Sequence, residues 1–128
     1  MFAAANIGVG FVNPLRLLAA ENGANQKVEL GDPATEAGYR GLYEMDPYLH
    51  VKPNTAYPAI IFSVGLNDHR VPPWMSGKMA AKLRTSTTSD RPILIRVDTD
   101  SGHGVGNTRD QAFAESADVS AFFLSVFQ

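Results

Sequence analysis

Apolar residues are distributed along the chain in two patterns, one typical of strands and one typical of helices. Three short runs are apolar almost without interruption, at residues 2–9, 57–64 and 92–97. Runs of this length predict strands, and the first, which has no polar alternation, suits a strand covered on both faces in a parallel sheet. The run at 57–64 has the strongest strand signal, because it combines β-branched and aromatic residues.

Helical spacing appears after the second and third of these runs. Met75, Met79 and Leu83 recur at i, i+4 and i+8, which predicts a helix from the prolines at 72–73 to about residue 84. A closing helix is predicted over 111–127. One of its faces carries the apolar residues Phe113, Ala117, Ala121 and Leu124.

Weaker signals lie between the first and second strands. Asn13 could cap a helix over 11–18, and Pro14 suits its first helical position. A further short helix is predicted over 35–45. Residues 20–33 contain Asn-Gly and Gly-Asp-Pro sequences and are therefore predicted to form an irregular loop.

Strands that alternate with helices predict an α/β fold, here with about three parallel strands flanked by helices. In such sheets the ligand site lies beyond the carboxyl ends of the strands, where the connecting loops gather. Asp68 follows the second strand and His103 the third, so both are expected at that edge. An aspartate bonded to a histidine ring orients it for proton transfer, and the order Asp then His is that of α/β-hydrolases. From the residues alone, a helix-capping Asp68 and a solvated His103 stay open.

Composition and charge narrow the functions open to such a domain. The chain has 128 residues, which is one domain by length, and a formal net charge of −2. Its Lys and Arg residues are scattered, so nucleic acid is not an expected partner. No run is long enough for a membrane span, and the apolar start lacks the basic residues of a secretory signal. The absence of cysteine excludes disulfides and favours a cytoplasmic location, while a periplasmic one stays open if an upstream signal exists.

The motifs predict neither a metal ion nor a cofactor. Ligating atoms are carried by Asp68, His69, Asp98, Asp100 and His103, but these residues form no His-x-x-x-His or Glu-x-x-His pair. The Gly-Val-Gly sequence at 8–10 follows a strand but lacks the third glycine of a dinucleotide-binding fingerprint.

Several segments together carry a resemblance to a known family: residues 57–59, 65–74, 78–83, 92–98 and 102–104. With their Gly-Leu-Asn-Asp-His-Arg-Val-Pro-Pro-Trp and Gly-His-Gly motifs, they closely resemble the carboxyl-terminal end of prolyl oligopeptidase family serine peptidases, and a weaker similarity covers 2–128. Those enzymes join an α/β-hydrolase catalytic domain to a β-propeller. The resemblance implies that residues 1–128 form the C-terminal portion of an α/β-hydrolase fold, a partial peptidase catalytic domain without the propeller.

The resemblance also implies roles for individual residues. Asp68 is expected to be the acid of a Ser-Asp-His triad, and His103 its general base. Arg70 is expected to bind the peptide substrate, to which a guanidinium can donate several hydrogen bonds. Val71 is expected to line a small apolar pocket for the residue before the scissile bond. A surface ion pair for Arg70 and ordinary core packing for Val71 stay open, as does a fragment of an esterase or acylaminoacyl peptidase.

The chain departs from the family pattern in two respects. None of its serines stands in the Gly-x-Ser-x-Gly elbow that presents the nucleophile, and in the family that elbow precedes the strand matched here by 2–9. Alone, the chain is therefore expected to be inactive. Better-studied members stack a tryptophan on the substrate proline in a loop matching 24–31. Only Gln26 and Leu30 are available there, so proline preference stays open.

A non-catalytic function is the alternative from a different class. If the first strand has no neighbour beyond it, its edge leaves backbone groups unpaired and apolar surface exposed. Such an edge could recruit a second copy. The alternative is therefore a self-associating α/β module, a homo-oligomer formed through an exposed sheet edge.

Overall fold

A parallel sheet of three strands, in the order β1-β2-β3, organises the part of the chain that the computed structural model describes, residues 2–128. In chain order the elements are β1 (Ala4–Gly8), α1 (Pro14–Leu17), α2 (Gly23–Leu30), α3 (Glu36–Met45), β2 (Ala59–Gly65), α4 (Trp74–Ser86), β3 (Ile93–Asp98) and α5 (Arg109–Phe127). The predicted α/β fold with parallel strands and flanking helices is confirmed. Gly65 and Asp98 are paired at the carboxyl ends of β2 and β3, so the loops that follow start side by side.

β2 is the central strand, and its alternating side chains pack into two separate clusters. Ala59 and Ile61 contact Phe122 of α5 on one face. Ile60 and Phe62 lie on the other face, among residues of α1, α4 and β3 that include Leu17, Met75, Met79, Leu83 and Ile93. All of β2 is buried, which explains why its apolar run is nearly continuous.

β1 differs from the predicted strand that is covered on both faces. Its Asn6 and Gly8 are exposed, and its other residues are only partly buried. β2 pairs with one of its sides, and within residues 2–128 no strand pairs with the other. The prediction was wrong because an apolar run shows what a strand is able to bury, whereas the strand's neighbours decide what it does bury.

Residues 20–33 are not the predicted irregular loop, because they contain helix α2. The glycines that suggested turns lie at its two ends. At Gly23 a Cβ atom would lie 2.4 Å from the Leu18 carbonyl oxygen, so the close approach of the preceding helix requires glycine there. Gly31 ends α2 with a φ of +97°, in the left-handed region that favours glycine.

α5 turns a different face to the sheet from the one that its sequence suggests. Phe122 is its buried residue, with Phe123 and Val126 packed beside it. The residues of the predicted apolar face are all exposed: Phe113, Ala117, Ala121 and Leu124. Both faces of α5 carry apolar residues, so the helical period alone could not tell which one meets the sheet.

Asp46 is a fully buried carboxylate that caps α1 from a distance. Its Oδ2 accepts hydrogen bonds from Asn13 Nδ2 at 2.8 Å and from the Leu15 N–H at 3.1 Å, and its Oδ1 accepts from the Leu49 N–H at 3.2 Å. Lys78 Nζ donates to Asn13 Oδ1 at 3.0 Å. The predicted capping by Asn13 does not occur, because its side chain is bonded to Asp46 and Lys78 instead.

Candidate active site

Asp68 lies in the tight turn after β2, where its carboxylate is held by three donors. Oδ1 accepts hydrogen bonds from the backbone N–H of Arg70 at 2.8 Å and of Val71 at 2.9 Å. Oδ2 lies 2.8 Å from His103 Nδ1. Because the two backbone donors fix Oδ1, the free lone pairs of Oδ2 are directed at the histidine.

His103 reaches Asp68 from the loop that follows β3. The start of this loop is ordered by Asp98, whose Oδ1 accepts from the backbone N–H of Asp100 at 3.0 Å and of Ser101 at 2.9 Å. A carboxylate can only accept, so Nδ1 of His103 carries a proton, and in the neutral form of the imidazole Nε2 has the free lone pair. The His103 side chain is 26% exposed and that of Asp68 only 2%. The histidine can therefore meet a substrate, whereas the aspartate acts through the histidine.

Backbone contacts hold the two loops together beyond the end of the sheet. The N–H of Asn67 donates to the carbonyl of Ser101 at 3.1 Å, and the Asn67 side-chain amide donates to the carbonyl of Thr99 at 2.9 Å. These bonds tie the two loops to each other beyond the paired ends of β2 and β3. The separation of the carboxylate from the imidazole is therefore set by the backbone as well as by the two side chains.

Gly65 allows this close approach of the two loops. A Cβ atom on Gly65 would lie 2.2 Å from the carbonyl oxygen of Gly102 and 2.5 Å from that of Ser101. We expect Gly65→Ala to lower the free energy of unfolding by about 1 to 3 kcal/mol, because backbone atoms must move to admit the methyl group. Urea unfolding of the purified chain measures the change.

Gly77→Ala is the matched control for this substitution. Gly77 lies in α4, and a Cβ atom there would have no neighbour within 4 Å. Alanine is the better helix former, so this variant is expected to gain about 0.5 to 1 kcal/mol. An equal effect of the two substitutions would contradict the close contact at Gly65.

A cleft of about 230 Å³ opens beside His103, and Arg70 and Val71 form part of its wall. The structure thus brings all of the predicted site residues to one place. Gln26 and Leu30 of α2 also line this cleft.

Two residues of the cleft, Phe11 and Glu29, were not predicted from the sequence. Phe11 follows a turn at the end of β1 in which Val9 has a φ of +42°, a conformation that β-branched residues rarely adopt. Glu29 lies on α2, which was predicted as a loop. The one sequence signal for this placement of Glu29 was the spacing of residues 26, 29 and 30, which puts them on the same side of a helix.

Two kinds of feature are absent from the part of the chain that the structure describes. No group of three or more His, Asp and Glu side chains there is arranged to hold a metal ion. None of the helices in residues 2–128 combines the length and the apolar character needed to cross a membrane.

The family of the chain is shown by a match that covers its whole length. The sequence model of the prolyl oligopeptidase family matches residues 1–128. The chain belongs to the prolyl oligopeptidase family. The expected resemblance is confirmed.

Similar proteins in the prolyl oligopeptidase family are several times longer than this chain. The prolyl endopeptidase of Elizabethkingia meningoseptica is 33% identical over 118 residues, which are 91% of this chain and 17% of that protein. A solved chain from a study of two prolyl endopeptidases has a TM-score of 0.91 and 26% identity, and the match covers 98% of this chain and 18% of that one. Prolyl oligopeptidase B from Galerina marginata, bound to a 35mer hydrolysis and macrocyclization substrate, has a TM-score of 0.87, 27% identity and the same coverage. The chain thus spans about a sixth of its curated relative.

No serine of residues 2–128 is hydrogen-bonded to the His103 ring. Ser63 lies within β2 and donates to Asn6 Oδ1 at 3.3 Å, and Ser76 is buried in α4. Ser101, two residues before His103, is also buried. Asp68 and His103 are therefore paired with each other, and no serine among the described residues is hydrogen-bonded to the imidazole.

Proposed function

We propose that this chain supplies the acid and the general base of a serine peptidase active site, with Asp68 and His103 in those roles. The observation that carries the proposal is the hydrogen bond between His103 Nδ1 and Asp68 Oδ2, made at the wall of a cleft. The nucleophilic serine would come from the remainder of a complete catalytic domain. By itself the chain would not form an acyl-enzyme, because a base without a nucleophile cannot.

The proposed reaction uses the imidazole twice. His103 Nε2 takes the proton of the serine hydroxyl as the serine oxygen attacks the peptide carbonyl, and Asp68 stabilises the imidazolium that forms. The same nitrogen then gives the proton to the leaving amine as the peptide bond breaks. Water hydrolyses the acyl-enzyme by the same two proton transfers, which return the serine and release the carboxylic acid.

A peptide is the substrate class that the cleft fits best. Arg70 is exposed at the cleft and can donate to a peptide carbonyl or carboxylate, and Val71 provides an apolar surface beside it. Glu29 adds a negative charge on the α2 wall. The Galerina marginata relative, which is bound to a 35mer substrate, supports the same class.

A chimera tests this function directly. In it, the matched segment of the Elizabethkingia meningoseptica prolyl endopeptidase is replaced by this chain. We expect the chimera to be labelled by a fluorophosphonate and to hydrolyse a proline-containing amide, whereas the chain alone does neither. Comparison of that amide with a simple ester separates a peptidase from an esterase. A chimera that unfolds cooperatively but is neither labelled nor active would contradict the proposal.

The acid and base pair can also be tested in the chain alone. A proton held between a carboxylate and an imidazole nitrogen is strongly deshielded, so proton NMR should show one such resonance from His103 Nδ1–H. Asp68→Asn should abolish it, because the neutral amide has a single oxygen acceptor, which the backbone N–H groups of Arg70 and Val71 already use. Persistence of the resonance in that variant would argue against the pairing.

Self-association is the second candidate function, and the edge of β1 favours it. The N–H of Ala59 donates to the carbonyl of Ala3, and the N–H of Val9 donates to the carbonyl of Ser63. Odd-numbered residues of β1 therefore face β2, and the N–H of Asn6 points to the open side. We propose that a second copy pairs there, as an exposed edge permits.

Sedimentation velocity of the chain over a range of concentrations tests this association. Asn6→Pro removes an outward N–H and keeps the backbone bonds to β2, although it also removes the side-chain bond from Ser63 Oγ. It should weaken association by at least about tenfold. Phe113→Asp, on the exposed face of α5, is the control and should leave association unchanged. A monomer at every concentration, or a stronger effect of Phe113→Asp, would contradict pairing through β1.

A further inference from the structure

A second cavity, of about 270 Å³, lies between the end of α1 and the first turns of α4. Its lining residues are Arg16, Ala19, Ala20, Trp74 and Lys78, and none of them lines the cleft at His103. We propose that this Trp74 cavity binds an aromatic carboxylate, either as a free small molecule or as the C-terminal residue of a peptide.

The two cations of the Trp74 cavity are available to an anion. Within residues 2–128, neither Arg16 nor Lys78 forms a salt bridge with a carboxylate. Arg16 is exposed, and no hydrogen bond within the described residues engages its guanidinium. A guanidinium with free donors can hold a carboxylate through two parallel hydrogen bonds.

Lys78 is held in position rather than free to move away. Its Nζ donates to Asn13 Oδ1 at 3.0 Å and lies 4.5 Å from the centre of the Tyr48 ring and 5.3 Å from that of Trp74. Only one of the three donors of the ammonium is used, so two remain for a ligand. A fixed ammonium loses less conformational entropy on binding than a mobile one.

The acidic residues near the Trp74 cavity are not paired with Arg16 or Lys78. Glu21 lies 3.9 Å from His69 Nδ1, with both side chains largely exposed. Asp46 is fully buried and bonded to Asn13 and two backbone N–H groups. In addition, α4 has no acidic residue in its first turn and no side-chain cap, so the positive end of its dipole adds to the potential in the cavity.

The remaining walls determine the shape of the ligand. Besides its two cations, the cavity is lined by Trp74, Ala19 and Ala20, which supply apolar surface for a ring. A cavity of roughly 150 Å³ is enough for benzene. The Trp74 cavity is larger, at about 270 Å³, and so has room for an aromatic ring together with a carboxylate group.

The fluorescence of Trp74 reports on this cavity alone, because it is the only tryptophan in the 128-residue chain. The probes are N-acetyl-Ala-Ala-Phe as the free acid, the same peptide as its C-terminal amide, and phenylacetate. We expect a saturable change in emission with the acid, and at least about tenfold weaker binding of the amide, which lacks the charge. If phenylacetate binds with the same affinity as the peptide acid, the site is one for a free small molecule. If phenylacetate binds more weakly, the site is one for a peptide C-terminus.

Arg16→Gln separates this proposal from unspecific binding. The variant should bind the peptide acid about tenfold more weakly and the amide unchanged. Its matched control is Arg40→Gln, which removes the same charge from an exposed site where Arg40 is paired with Glu36, and which should have no effect. Equal affinity for acid and amide, no saturable change, or no effect of Arg16→Gln would overturn the proposal. None of these outcomes depends on the hydrolase chemistry, because the cavity and the cleft share no residue.

Discussion

Replacement of His103 by alanine is expected to lower the kcat of the chimera by at least about 10⁴-fold, with little change in KM. His103 is the imidazole that the carboxylate of Asp68 holds, at 2.8 Å from Nδ1. In the proposed function, the variant lacks the group that takes the proton of the nucleophile. Asp68→Asn should be about as severe, because an amide can stabilise the wrong tautomer of the imidazole. Steady-state kinetics on a proline-containing amide measure both effects.

The neighbouring histidine provides the control for this prediction. The His69 side chain is 84% exposed, and its ionic contact within the described residues is with Glu21 at 3.9 Å. His69→Ala should therefore leave kcat unchanged. A His103→Ala chimera that keeps its rate within about tenfold would show that another group acts as the base, since loss of a triad residue costs about 10⁴-fold or more.

Asp46→Ala is expected to have the largest effect on stability, a loss of about 3 to 5 kcal/mol. The substitution removes the acceptor for Asn13 Nδ2 and for the backbone N–H groups of Leu15 and Leu49. Each buried donor left without a partner costs about 1 to 3 kcal/mol. Such a loss is a large part of the total for a domain of this size, so the midpoint of urea unfolding should fall clearly.

Two other variants show whether the loss comes from the buried donors. Asp46→Asn keeps one oxygen acceptor and the shape of the side chain, so its effect should be intermediate. Asp90 is exposed, and within residues 2–128 its carboxylate accepts no hydrogen bond and forms no salt bridge. Asp90→Ala should therefore change the free energy of unfolding by no more than about 0.5 kcal/mol. If Asp46→Ala were as mild as Asp90→Ala, the carboxylate would not be what caps α1.

The meeting of Asp68 with His103 could be expected from the sequence. Each residue follows a strand of a parallel sheet, and the carboxyl ends of such strands share one edge. The sequence did not reveal why the two loops come so close, which depends on the missing side chain of Gly65. The α2 wall of the cleft was also missed, because Gly23 and Gly31 suggest turns until the neighbouring backbone is known.

By itself, the sequence determined the alternation of strands and helices, the buried stripe of Met75, Met79 and Leu83 in α4, and the edge at which Asp68 and His103 lie. These features follow from the period of apolar residues and the order of the elements, which are properties of the chain alone. The tertiary structure decided which face of α5 is buried, that β1 has an open side, and that Asp46 caps α1. These depend on which groups become neighbours in space, because burial and hydrogen bonding belong to pairs of surfaces and not to single segments.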